Sequence, residues 1–138
     1  MRHITPKFYV AEQLTLEQIP ELAKEGVQHI ICNRPDNEGE NQANSEAIQR
    51  AAERHGMSFH YLATEPGQFD SSLVSQFGDL VGQLEGKTLA YCRTGTRSLS
   101  LWTLANPECK SRGDLLLLAE QAGYNMSCLI ERVADVEG

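Results

Sequence analysis

Tyr91-Cys92-Arg93-Thr94-Gly95-Thr96-Arg97-Ser98 brings a thiol, two guanidinium groups, three aliphatic hydroxyls and a glycine into eight consecutive residues. The apolar run before it, Lys87 to Tyr91, reads as a buried strand, and Leu99 to Ala105 after it reads as a helix. A strand end, a tight glycine loop and a helix start form a cradle of backbone N–H groups. The first N–H groups of a helix have no internal acceptor and the helix dipole is positive there, so such a cradle binds anions. A thiol facing it beside arginines ionises readily, from a free-thiol pKa of ~8.5 to roughly 3.5–7.5. The expected nucleophile is Cys92. Arg97 would aim a planar fork at several oxygens of a bound anion, and Gly95 would let the loop turn its N–H groups inward. Ser98 is a donor to the thiolate, a helix cap, or both. Arg93, Thr94, Gly95 and Thr96 complete the candidate anion-binding set, although Arg93 could equally face solvent or pair with a carboxylate.

The elements that must carry this loop can be read along the chain. Phe8-Tyr9-Val10 is a short predicted strand, followed by a helical stripe of Leu16, Ile19, Leu22 and Ala23 that ends at Gly26. Thr15 and Gln18 have capping-box spacing, while Pro20 conflicts with a helix starting at Leu16 and predicts a kink or a later start. Val27 to Cys32 is the next strand. A polar loop from Asn33 to Asn44 follows, with Asp36, Glu38 and Glu40, then a helix from Ser45 to His55 and a strand from Met57 to Ala63. Thr64 to Asp70 is a loop ending in a cap for the helix Ser71 to Leu84. Beyond the cysteine loop lie a helix near Gly113 to Ala122 and a turn or short helix near Met126 to Val133. Strands alternating with helices predict one α/β domain over 1–138: a three-layer structure whose largely parallel sheet of four to five strands is flanked by helices. Ligands in such sheets sit beyond the carboxyl ends of the strands. That rule gathers Asn33 to Asp36, Thr64 to Asp70 and Cys92 to Arg97 at one rim.

Composition narrows the partners. A formal charge of −7 argues against nucleic acid, yet a local arginine pair can hold a small anion inside an acidic protein. The start Met1 to Pro6 carries no apolar core of a signal peptide, and the longest apolar run, Leu115 to Ala119, is far too short to span a bilayer. A cytoplasmic protein with no membrane partner is expected. The cysteines Cys32, Cys92, Cys109 and Cys128 lack zinc-ligand spacing and are expected as free thiols, so neither metal nor cofactor is predicted. Cys32 reads as a small buried hydrophobe; Cys109 and Cys128 lie in or beside turns, where either could resolve an oxidised Cys92. His29 and His60 fall within strands as packing residues, and Trp102 would pack the helix after the loop against the sheet. Arg34 has two readings: binding substrate or bracing the cysteine loop, or an Arg–Asp pair with Asp36 in a surface turn.

The cysteine loop resembles two related signatures. Protein tyrosine and dual-specificity phosphatases carry Cys-x5-Arg-Ser/Thr, and rhodanese-type sulfurtransferases often carry Cys-Arg-x-Gly-x-Arg-Ser. Cys92 and Arg97 have the spacing of the second, Cys-x4-Arg, while the order of elements with Tyr61-Leu62 on a strand resembles the dual-specificity phosphatases. Both halves meet in a bacterial family, the phosphatase-like domain of beta-lactamase-hydrolase-like proteins. The similarity rests on Leu14 and the helix after it, Asn33-Arg34-Pro35-Asp36, Glu65-Pro66-Gly67, Tyr91 to Ser98 with Trp102, and Ala122-Gly123-Tyr124. It implies a tyrosine-phosphatase-like fold and an activity described both as phosphatase-like and as sulfur transfer.

Three functions follow. The shorter spacing favours a sulfurtransferase in which Cys92 stores a sulfane sulfur as a persulfide and passes it to a thiol acceptor or redox partner, since a smaller loop encloses a smaller group. The fold resemblance favours a phosphatase that forms a phosphocysteine on Cys92. A non-catalytic anion- or thiol-sensing module is the third. Either enzyme would take a small anionic or sulfur-containing substrate. The phosphatase also needs a general acid, for which the loop after the third strand offers Asp70 and Glu65, although Asp70 is equally a helix cap. The position that the resemblance would give the acid is nearer Gln68, and Tyr91 stands where phosphatases commonly carry histidine.

Overall fold

The computed structural model describes residues 1–133. Five strands, β1 (Arg2–His3), β2 (Phe8–Ala11), β3 (Val27–Cys32), β4 (Ser58–Tyr61) and β5 (Lys87–Tyr91), form one sheet in the order β1-β2-β5-β3-β4. Only the pairing of β1 with β2 is antiparallel. β5, the last strand in the chain, is inserted at the centre between β2 and β3, so its carboxyl end opens where the winding of the sheet reverses. β2, β3 and β5 read as nearly continuous apolar runs because helices cover both of their faces.

Helices α1 (Gln18–Lys24) and α2 (Ser45–Arg54) pack on one face through Ile19, Leu22, Ile48, Ala51 and Ala52. Helices α3 (Ser71–Gln83), α4 (Thr96–Ala105) and α5 (Arg112–Gln121) cover the other through Phe77, Leu99, Leu101, Trp102, Leu115 and Ala119. The indole of Trp102 stacks on Phe8 of β2 with ring centroids 5.3 Å apart, which docks α4 on the sheet as expected. The predicted three-layer α/β arrangement is therefore the observed one.

One residue departs from the expected stripe, and of the kink or later start expected from Pro20 the later start is observed. Leu16 precedes α1 and is exposed, because the helix begins at Gln18. The later start puts Pro20 in the first turn, where no intrahelical N–H is lost. Half of the capping box forms, with Thr15 N–H donating to Gln18 Oε1 at 2.8 Å. The turn or short helix expected near Met126 to Val133 is a 3-10 turn, Ile130–Arg132. Asn44, Asp70 and Ser111 cap α2, α3 and α5 with side-chain oxygens.

Candidate active site

Cys92 is the first residue past β5 and is fully buried, its N–H donating to Ala11 O at 3.3 Å. Three residues on, Gly95 adopts the left-handed conformation (φ 93°) and serves as the N-cap of α4. This turn points the Gly95 N–H back at Cys92, and it donates to Sγ at 3.1 Å. Thr96, Arg97 and Ser98 form the first turn of α4, where N–H groups lack intrahelical acceptors and the dipole is positive. The thiol thus lies against one amide donor at the positive end of a helix. One donor of the cradle expected from the sequence is aimed at the thiol.

Arg97 is buried and held by a carboxylate from another loop. Its Nη1 and Nη2 donate to Glu38 Oε2 and Oε1 at 2.8 and 2.7 Å, and Nη1 also donates to Thr64 O at 3.0 Å. A guanidinium has five N–H donors, so the Nε–H and one Nη2–H have no acceptor among the described residues. Arg34, also buried, donates through Nε to Glu38 Oε1 at 2.8 Å and through Nη1 to Gln13 Oε1 at 3.1 Å. The N–H of Gln13 in turn donates to Arg93 O at 3.2 Å. The hydrogen bonds and charges of Arg97 and Arg34 hold the Glu38 carboxyl at about 2, against an ordinary 4.5. Burial opposes the charge of Arg97, but the bond to Glu38 and the negative charge of Cys92, Glu38 and Cys32 together outweigh it and the guanidinium pKa rises.

Arg34 is linked to the cysteine loop through Glu38 and Gln13, an arrangement in line with the bracing reading. The expected pairing of Arg34 with Asp36 does not form. Asp36 instead accepts from the Ser45 N–H at 2.7 Å and the Ser45 hydroxyl at 2.6 Å, which anchors the start of α2. Ser98 also departs from expectation. Its hydroxyl donates to Asn33 Oδ1 at 2.8 Å, and the cap of α4 is Gly95, so Ser98 neither donates to the thiolate nor caps the helix. A hydroxyl has one proton, and Asn33 takes it. Asn33 is the keystone of the rim: its Nδ2 donates to Leu62 O at 2.8 Å, its N–H to Tyr91 O at 2.8 Å, and its carbonyl accepts the Thr64 N–H at 3.0 Å. The three predicted loops are brought together, tied by Asn33, Arg97 and Glu38.

Other expected site residues lie at the margin. Asp70 caps α3, accepting the Leu73 N–H at 2.8 Å. Arg93, Thr94 and Thr96 are exposed on the outer side of the loop, with the Thr94 hydroxyl donating to Thr96 Oγ1 at 3.0 Å. Tyr91 turns into the core on the α1–α2 face, where burial pushes its hydroxyl pKa far up. His29 and His60 share the Ser58 hydroxyl, at 2.7 and 3.1 Å. All four cysteines are free; Cys32 is buried, and Cys109 and Cys128 are exposed. Among the described residues no cluster of three or more His, Cys, Asp or Glu could hold a metal, and no helix is long and apolar enough to cross a membrane.

Glu38 and Gln13 are site residues that sequence reasoning missed. Glu38 stood out only as one of three carboxylates in a polar loop, and its four-residue spacing from Arg34 was the single available signal.

Residues 1–108 match the family described as beta-lactamase hydrolase-like protein, phosphatase-like domain. A beta-lactamase hydrolase-like protein of Xylella fastidiosa is 28% identical over 102 residues, which cover 74% of this chain and 24% of the relative. The chain therefore spans about a quarter of the length of the curated relatives it matches. A candidate phosphatase from Neisseria meningitidis superposes with a TM-score of 0.84 at 34% identity, covering 95% of this chain and 94% of that one. The active form of Tk-PTP superposes with a TM-score of 0.74 at 13% identity, covering 95% and 91%, which shows a shared tyrosine-phosphatase-like fold. The matched segment carries the cysteine loop, Asn33, Arg34 and Glu38, and with them the whole braced cradle: the chain belongs to the family of beta-lactamase-hydrolase-like phosphatase-like domains.

Proposed function

We propose that this chain is a cysteine-based phosphatase. The observation that carries the reading is the Gly95 N–H directed at Cys92 Sγ over 3.1 Å, at the start of the helix that also presents the buried, carboxylate-held Arg97. In the first step the Cys92 thiolate attacks phosphorus, the S–P bond forms and the bond to the leaving oxygen breaks with its electron pair. In the second, water attacks the phosphocysteine, the S–P bond breaks and phosphate departs, the thiolate being restored. Loop amides and the free N–H groups of Arg97 meet the charge on the three non-bridging oxygens.

The family and the Neisseria relative support this reaction over the sulfur transfer that the loop spacing favours. Proton supply narrows the substrate. Glu38, the carboxylate bonded to Arg97, is ionised at neutral pH because both arginines hold its pKa near 2, so it has no proton to give. Asp70 is engaged in capping α3. The chemistry therefore favours leaving groups that are stable as anions, such as phenolates, over simple alkoxides.

The test compares wild type and Cys92→Ser on aryl and alkyl phosphates, and on thiosulfate with cyanide. Cys92-dependent release of phosphate, faster for the more acidic phenols, is expected. Thiocyanate formation without phosphate release would return the assignment to sulfur transfer, and equal turnover by Cys92→Ser would reject both.

A further inference from the structure

Tyr124 lies outside the family-matched segment, yet its side chain touches the centre of the cysteine loop. It follows the C-terminal turn of α5, where Gly123 is left-handed (φ 93°) and the Tyr124 N–H donates to Ala119 O at 2.8 Å. Its hydroxyl donates to Thr94 O at 2.9 Å. That carbonyl belongs to the same peptide unit as the Gly95 N–H, the group that donates to Cys92 Sγ at 3.1 Å. In a trans peptide the two point in opposite directions, so fixing the carbonyl outward fixes the N–H inward. A glycine at position 95 leaves this peptide free to turn over, and turned over it would present the Thr94 oxygen to an anionic sulfur.

We propose that Tyr124 is a positioning residue for Cys92, holding the Thr94–Gly95 peptide in the orientation that stabilises the thiolate. The hydroxyl is built to stay. The Arg2 guanidinium lies 5.3 Å from the centre of the tyrosine ring and donates through Nη1 to Ala122 O at 2.6 Å, which ties β1 to the end of α5. Burial raises the Tyr124 pKa, so the hydroxyl keeps the proton it donates. A Cβ at Gly95 would collide with that hydroxyl, so the tyrosine packs directly against the bare Cα of the glycine. The structure thus extends the active site to a residue of the C-terminal part of the chain, with Arg2 as its support.

The inference rests on the reading of Cys92 as a reactive thiolate, and one experiment separates the two. Cys92 alkylation by iodoacetamide is followed by mass spectrometry of its peptide, in wild type and Tyr124→Phe, at a series of pH values from about 4 to about 9.5. The expected result is that the midpoint of the alkylation profile lies about one pH unit higher in Tyr124→Phe, the worth of one hydrogen bond from the Gly95 N–H to a charged acceptor. The kcat on an aryl phosphate should fall in step, with KM changed less than about threefold. A merely loosened loop would expose the buried thiol and raise alkylation at every pH, so such a rise, or an unchanged midpoint beside a reactive wild type, overturns the role of Tyr124 alone. A wild type that is itself sluggish near neutral pH overturns both readings.

Discussion

Replacing Glu38 by glutamine isolates the charge that holds Arg97. The side chain keeps its shape and one acceptor oxygen, but two buried guanidinium groups lose their counter-ion. A carboxyl displaced from 4.5 to about 2 corresponds, at about 1.4 kcal/mol per pH unit, to roughly 3 kcal/mol of folding free energy. Because the Glu38 side chain is 23% exposed on an exposed loop, solvent screening reduces this to about 2 kcal/mol. The sign follows from the direction of the shift. The folded carboxyl is the stronger acid, so its contribution is complete above about pH 4.5 and disappears as the pH falls toward 2. Urea unfolding of wild type and Glu38→Gln at a series of pH values reads it directly. The variant should be less stable by that amount at neutral pH, and the two curves should converge at the acid end. A gap that persists unchanged to the lowest pH, or no gap at neutral pH, would refute the assignment of this charge to the arginine pair. Turnover should fall too, since Arg97 loses the bidentate partner that aims it.

Two further substitutions probe the loop and the rim. Gly95→Ala must place a side chain at φ 93° and drive a methyl into the Tyr124 hydroxyl, so a stability loss of about 1–3 kcal/mol and a collapse of aryl phosphatase activity are expected in paired melting and rate measurements. A variant that turns over like wild type would contradict the inward orientation of the Gly95 N–H. Ser98→Ala leaves Asn33 Oδ1 buried without its donor and should cost about 1–3 kcal/mol by urea unfolding. In a cycle with Asn33→Ala the two losses should fall well short of additivity; additive losses would show that the pair does not act as a unit.

Much of this architecture was legible because it obeys periodicity and topology. Parallel strands buried on both faces announce themselves as apolar runs, and the rule that ligands gather beyond their carboxyl ends brought Asn33, Thr64 and Cys92 to one rim before any coordinates. Glu38 was hidden because the 33–44 segment is irregular, turning through left-handed Asn37 and Asn41, and no repeat says which of its three carboxylates faces inward. β1, two residues long, is too short for any pattern to reveal. For Ser98, spacing from Cys92 locates a hydroxyl but not the acceptor, Asn33 Oδ1, that competes for its single proton. The preference for sulfur transfer came from counting loop residues. Loop length limits the size of the group enclosed, not the element the thiolate attacks, and the relatives carry more weight on that point.

The central claim is that the Cys92 sulfur itself takes up a phosphoryl group. Rapid acid quenching during turnover of an aryl phosphate, followed by mass spectrometry of the Cys92 peptide, tests it most directly. The account predicts one phosphoryl group on that peptide in wild type and none in Cys92→Ser. An unmodified Cys92 peptide at full turnover, or phosphate release that survives Cys92→Ser, would contradict it.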